Sequence, residues 1–169
     1  MSRGMHHVGV ATHDMEATLA FYEDVLGFPA VVCETIEPEG GGLIRHAFFD
    51  AGHGELVAFM ECNDVEGVAP DFDTGINRGL GTGSGLFHFA FKVDDEAELS
   101  SRRDDLVAKG VAVRGIVDHG WCKSIYFRDP NHLQLEYCCL TEDLEERHRA
   151  GRFGERWTRL ARPRVGSAE

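Results

Sequence analysis

The sequence is poor in whatever would direct it to a nucleic acid, a membrane or an oxidising compartment. Lys plus Arg number 17 against 29 Asp plus Glu, a net charge of −12 over 169 residues. A polyanion would be repelled by such a surface, so nucleic acid and anionic membranes are not expected partners. Basic residues gather only at the end, where residues 141–169 hold 7 Arg and 6 acids. No uncharged apolar run approaches the roughly 18 residues of a membrane span. The opening Met-Ser-Arg-Gly-Met-His-His has no apolar h-region, which argues against a signal peptide. Cysteine is scarce and odd in number: Cys33, Cys62, Cys122, Cys138 and Cys139, with no C-x-x-C. Reduced thiols in the cytoplasm suit that pattern better than a disulfide framework. The glycines of Gly79-Leu80-Gly81-Thr82-Gly83-Ser84-Gly85 lack both the G-x-G-x-x-G spacing and a following Lys-Ser/Thr. They read as a linker or lid, not a phosphate cradle.

What is present is enough apolar material for one real core, at 43% hydrophobic residues. A strand is expected over 5–12, then a helix from Met15 to Leu26, capped by Asp14 and closed by Gly27. Three strands follow at about 29–36, 43–50 and 54–62. After a linker over 63–85 the pattern restarts: a strand over Leu86–Val93, a helix over Glu96–Lys109 closed by Gly110, and strands at 111–117, 121–128 and 132–139. The expected fold class is therefore α+β, built from two β-α-β-β-β modules. Module one covers about 5–62 and module two about 86–140. A C-terminal helix and tail over 141–169 complete what reads as a single domain.

The repeat also repeats a histidine. His7-Val8-Gly9-Val10 opens one module and His88-Phe89-Ala90-Phe91 the other. A single strand histidine is more often a hydrogen-bonded core residue than a ligand; its recurrence at equivalent places is the stronger signal. In the final strand, His132-Leu133-Gln134-Leu135-Glu136-Tyr137, alternation sets Gln134 and Glu136 on one face and the apolar residues on the other. His7, His88 and Glu136 together make a 2-His-1-carboxylate ligand set, the type that suits Fe(II), with Mn(II) or another divalent metal as a substitute.

At these residues, and through Phe21-Tyr22 and Val25-Leu26-Gly27-Phe28, the chain resembles the vicinal oxygen chelate superfamily. That superfamily includes glyoxalases, methylmalonyl-CoA epimerases, bleomycin-resistance proteins and type I extradiol dioxygenases. The resemblance implies that the two β-α-β-β-β modules form one curved, cup-shaped mixed sheet, a metal-lined cup with His7, His88 and Glu136 in three of its ligand slots. The fourth slot falls on Ala58 when Glu136-Tyr137-Cys138-Cys139 is set against Ala58-Phe59-Met60-Glu61, leaving Glu55 and Glu61 as neighbours of the wrong parity. Val117-Asp118-His119, Ile125-Tyr126, Asp129-Pro130 and Glu136 resemble the extradiol ring-cleavage signature, except that His132 stands where Gly or Pro is usual. By this resemblance His119 and Tyr126 face the substrate oxygens, while Leu56, Ala58 and Met60 wall the cup. A further acid/base histidine implied for the last strand of module one has only His53 and Glu55 nearby, neither in register.

The function expected is a metal-dependent, extradiol-type dioxygenase acting on a catechol-like aromatic with O2. A small aromatic or vicinal-oxygen substrate would be its partner, and a homodimer is compatible with it. The alternatives are a glyoxalase- or epimerase-type lyase or isomerase, which needs Glu55 or Glu61 as a fourth ligand, and a metal-free binding protein of the antibiotic-resistance kind.

Overall fold

The structure, a computed structural model, describes residues 4–146. Its elements run β1 (His7–Thr12), α1 (Met15–Ala20), β2 (Ala30–Ile36), β3 (Leu43–Asp50), β4 (Leu56–Asn63), α2 (Ile76–Gly79), β5 (Phe89–Lys92), α3 (Glu96–Ala108), β6 (Arg114–Asp118), β7 (Cys122–Arg128) and β8 (Gln134–Leu140). Two β-α-β-β-β units are present, as expected, with the short α2 falling inside the linker. Each unit builds its own hydrogen-bonded ladder of four strands, β1-β4-β3-β2 and β5-β8-β7-β6. The first strand of each runs parallel to the last, and the other pairs are antiparallel.

Local chemistry explains the element boundaries. The Asp14 carboxylate accepts the Ala17 N–H at 2.9 Å and caps α1. The helix expected to reach Leu26 as one piece changes at Phe21, where Phe21–Leu26 winds as a π-helix and ends at Gly27, φ 76°. In module two, β5 begins at Phe89, so His88 sits one residue ahead of the strand. Likewise β8 starts at Gln134 and not at 132. The Asp129 carboxylate takes the Leu133 N–H at 2.8 Å, and His132 is held at φ 60°, so the chain leaves the turn two residues late. The helix expected over 141–160 lies, beyond residue 146, outside the described residues.

Alternation along the strands separates two faces. Tyr22 stacks against Phe49 and Phe59, with ring centroids 5.0 and 4.8 Å away, on the helix side of the first sheet. On the helix side of the second sheet Leu99, Leu106, Ile125, Leu135 and Tyr137 are buried. These side chains belong to one core, which spans both units. The units are also tied by polar contacts: Tyr22 donates to Asp129 at 3.3 Å, and Asn131 donates to Thr18 at 3.1 Å. Lys109 at the end of α3 donates to the carbonyls of Asp24 and Val25. The opposite faces carry Ala58 on β4 and Glu136 on β8, and there the candidate chemistry lies.

Asp129 is buried, and that burial raises its pKa above the ordinary carboxylate value, against the lowering effect of its hydrogen bonds. A folded-state pKa above the unfolded one, about 3.9, contributes stability that is full below about pH 3.9 and lost as the pH rises through the folded value. Asp129→Asn keeps an acceptor for Leu133 and removes the charge. The wild type should therefore lose stability relative to this variant as the pH rises from about 3.5 to 7, read as Tm at each pH. A constant difference in Tm would overturn the account.

Candidate metal and substrate site

Register places the open face of the second sheet in rows. Ala90, Glu136, Tyr126 and Arg114 lie side by side across β5, β8, β7 and β6. The neighbouring row joins Lys92, Cys138, Ser124 and Val117. Glu136 is only 5% exposed, an expensive position for a carboxylate without partners. It has two: its Oε1 accepts from the Ser124 hydroxyl, and its Oε2 lies 3.1 Å from His88 Nε2.

The tautomer of His88 gives that last distance meaning. His88 Nδ1 is 2.9 Å from the Gly85 carbonyl oxygen, which can only accept, so Nδ1 carries a proton and donates. In the neutral ring Nε2 then presents its lone pair to a carboxylate oxygen. Two acceptors at this distance repel unless a proton or a cation lies between them. Two ligand atoms about 2.1 Å from one ion, at right angles, stand roughly 3 Å apart. The donor set and its spacing thus fit a divalent cation, and the Gly85 carbonyl and Ser124 hydroxyl are the outer partners that orient such ligands.

Tyr126 stands opposite Glu136 on β7, and its hydroxyl is 2.9 Å from His119 Nε2. Partial burial, followed by the Glu136 charge, raises the Tyr126 pKa, so the hydroxyl stays protonated and can donate. A cavity of about 670 Å³ opens over this row; His88, Tyr126, His119, Arg114, Arg128 and Gln134 are among its lining residues.

His7 occupies the corresponding place on β1, exposed, with its ring centroid 5.5 Å from that of Phe48 and its Nδ1 2.8 Å from His6 Nδ1. The structure joins His88 to Glu136 and His119 to Tyr126, but no contact joins His7 to either pair. Among the described residues no three His, Cys, Asp or Glu side chains converge on a metal-sized point.

The two sheets can be compared position by position. Gly9 pairs with Ala58, and Ala58 with Phe48, as Ala90 pairs with Glu136, and Glu136 with Tyr126. Ala58 is therefore the counterpart of Glu136, in agreement with the ungapped alignment, and Phe48 is the counterpart of Tyr126. Glu61 faces the helix side and is held by Arg45, which also binds Glu16. Glu55 sits in the turn ahead of β4, with its N–H on the Gly52 carbonyl, and His53 is in that same turn at φ 55°. Neither glutamate stands at the fourth slot. Leu56 lines a smaller cavity of about 270 Å³, together with Met5, His6 and His88.

Sequence reasoning overlooked Ser124, Arg114 and Arg128. Parity could have found two of them, since Ser124 and Arg128 flank Tyr126 two residues either way on one strand face.

The sequence model of the Glyoxalase/Bleomycin resistance protein/Dioxygenase superfamily matches residues 4–137. The chain belongs to this superfamily. It is 29% identical, over 79% of its length, to a Bacillus subtilis (strain 168) protein named "Putative ring-cleaving dioxygenase MhqA", of which the match covers 39%. It is 27% identical, over 85% of its length, to an iron-dependent extradiol dioxygenase of Rhodococcus jostii (strain RHA1), of which 45% is covered. The chain thus spans less than half the length of these curated relatives. Among solved structures, the genomically encoded fosfomycin resistance protein FosX of Listeria monocytogenes superposes with a TM-score of 0.59 at 21% identity, covering 87% of this chain and 99% of that one. This likeness concerns the fold. No described helix is long and apolar enough to cross a membrane.

Proposed function

We propose that the protein is a metal-dependent ring-cleaving dioxygenase of extradiol type, acting on a catechol-like aromatic. The observation that carries this reading is the pair His88 Nε2 and Glu136 Oε2 at 3.1 Å, with His88 Nδ1 committed to the Gly85 carbonyl. His7 is the third ligand of the reading. Iron is the metal proposed, with manganese as the substitute, and a cytoplasmic, reducing setting goes with the odd cysteine count. The names of the two dioxygenase relatives support the reaction class.

A bound divalent ion would lower the pKa of a vicinal diol and bring it together with O2. The chain's own residues do the rest. Ser124 fixes the rotamer of Glu136 through Oε1. His119 exchanges a proton with a substrate hydroxyl, and Tyr126 both orients that imidazole and donates to a substrate oxygen. The strand seats of Glu136, Ser124 and Tyr126 help supply the proximity on which the rate depends. The glyoxalase- or epimerase-type reading needs a fourth protein ligand, and Ala58 in that slot disfavours it.

The experiment is O2 uptake by protein loaded with Fe(II) without air, across a panel of catechols. A yellow ring-fission product is expected. Inert catechols, with turnover of a hemithioacetal or an acyl-CoA epimer instead, would replace the proposal with the isomerase reading.

A further inference from the structure

Six arginines lie among the described residues, and four of them are ion-paired: Arg45 with Glu16 and Glu61, Arg78 with Asp73, Arg102 with Glu98, and Arg103 with Asp104. Arg114 and Arg128 have no carboxylate partner among the described residues, although acids outnumber bases 29 to 17 in the whole chain. Both line the same cavity, the one that holds His88, Tyr126 and His119. Register explains why they meet. Arg114 lies directly across from Tyr126 on β6, and Arg128 lies two residues along β7 on the same face, about 7 Å away. The counterpart of Arg114 in the first sheet is Val32, across from Phe48, and the counterpart of Arg128 is Asp50, level with Leu56. The positive pair therefore belongs to the module of His88 and Glu136 alone.

We propose that Arg114 and Arg128 bind a carboxylate on the substrate, so that the preferred diol is an aromatic acid and not an unsubstituted catechol. This rests on the ring-cleavage reading for the diol, and on the two arginines for the acid. A guanidinium presents a planar fork of donors that matches a carboxylate. Two forks with no lysine among the lining residues suit a single monoanionic group. The charges also complement the site: the metal end already holds Glu136, and the arginines put the opposite sign at the far end, where an anionic tail fixes which way round the ring enters.

The test separates the acid from the diol. On metal-free protein, where no chemistry occurs, phenylacetate and its uncharged isostere phenylacetamide are titrated by calorimetry. Phenylacetate should bind at least tenfold more tightly than the amide, and the advantage should shrink as salt rises. Arg114→Met and Arg128→Met should each remove most of it, and Arg128→Lys should keep part, with Tm unchanged because both side chains are exposed. On the Fe(II)-loaded protein, 3,4-dihydroxyphenylacetate should exceed 4-methylcatechol in kcat/KM by a similar factor, mostly through KM. Equal affinity for acid and amide, or wild-type affinity in both Met variants, would overturn the proposal. So would tighter binding of phenylphosphonate than of phenylacetate. If the acid binds as expected but neither diol is cleaved, carboxylate recognition stands and the ring-cleavage reading falls. If both diols are cleaved alike, the reverse holds.

Discussion

Glu136→Ala should leave the protein folded and without metal. Purified and loaded with Fe(II) under argon, the wild type should hold about one ion per chain and the variant close to none, with a fall in ring cleavage of at least a thousandfold. The expectation follows from how little redundancy surrounds this carboxylate. On the open face of β8 its neighbours are Gln134 and Cys138, and its counterpart across the repeat is Ala58, so no other acid can take over. Removing the ligand also orphans the Ser124 hydroxyl, which donates to Glu136 Oε1. That hydroxyl is buried, and an unsatisfied buried donor costs about 1–3 kcal/mol. A modest loss of Tm should therefore accompany the loss of metal, and Glu136→Gln should recover the stability without the metal. Retention of a full complement of iron in Glu136→Ala would end the assignment of this residue as a ligand, and with it the proposed centre.

The second large effect is expected at His119. His119→Gln should lower kcat by about 10²–10⁴-fold, the usual contribution of general acid–base catalysis. Metal content should stay at the wild-type level, because the ring faces Tyr126 and not the His88–Glu136 pair. Tyr126→Phe removes one hydroxyl and keeps the ring, so it should cost less, about 1–3 kcal/mol or roughly ten- to a hundredfold. The pH profile distinguishes a proton carrier from a spacer: the wild type should show an ionisation in kcat that His119→Gln lacks and Tyr126→Phe retains. If both variants turn over normally, the hydrogen-bonded pair plays no part in the chemistry.

Most of the architecture was legible in the sequence, and for a plain reason. Each module prints its own order of strand, helix and three strands, and the second printing checks the first. Where the reading failed, side chains had overridden pattern. Asp129 holds Leu133 and delays β8, and Tyr22, packed against Phe49 and Phe59, sits where the helix widens into a π turn. Of the candidate site, the residues that repeat (His7 with His88) or carry a spaced motif (His119, Tyr126, Glu136) could be named as candidates in advance, and the structure joins His88 to Glu136 and His119 to Tyr126 but leaves His7 apart. Ser124 and Arg128 were within reach of the same alternation, two residues either side of Tyr126; Arg114 was not, because it meets Tyr126 only across β6 and β7, and pairing partners are not written in a linear sequence. The parity of Ala58 was read correctly, since alternation needs only one strand.

The mismatch between Ala58 and Glu136 has a consequence for how the protein can change over generations. A duplicated unit begins with two equal halves, and here the buried carboxylate and its hydrogen-bonded partners stand in one of them. The row Gly9, Ala58, Phe48 and Val32 is free of the demands placed on Ala90, Glu136, Tyr126 and Arg114. Val32, Phe48 and Ala58 hold the places of Arg114, Tyr126 and Glu136 without their polar groups. On the proposed reading, His7 apart, the first sheet is thus where sequence can drift most freely, while the row through Glu136 and Tyr126 is where drift would cost activity.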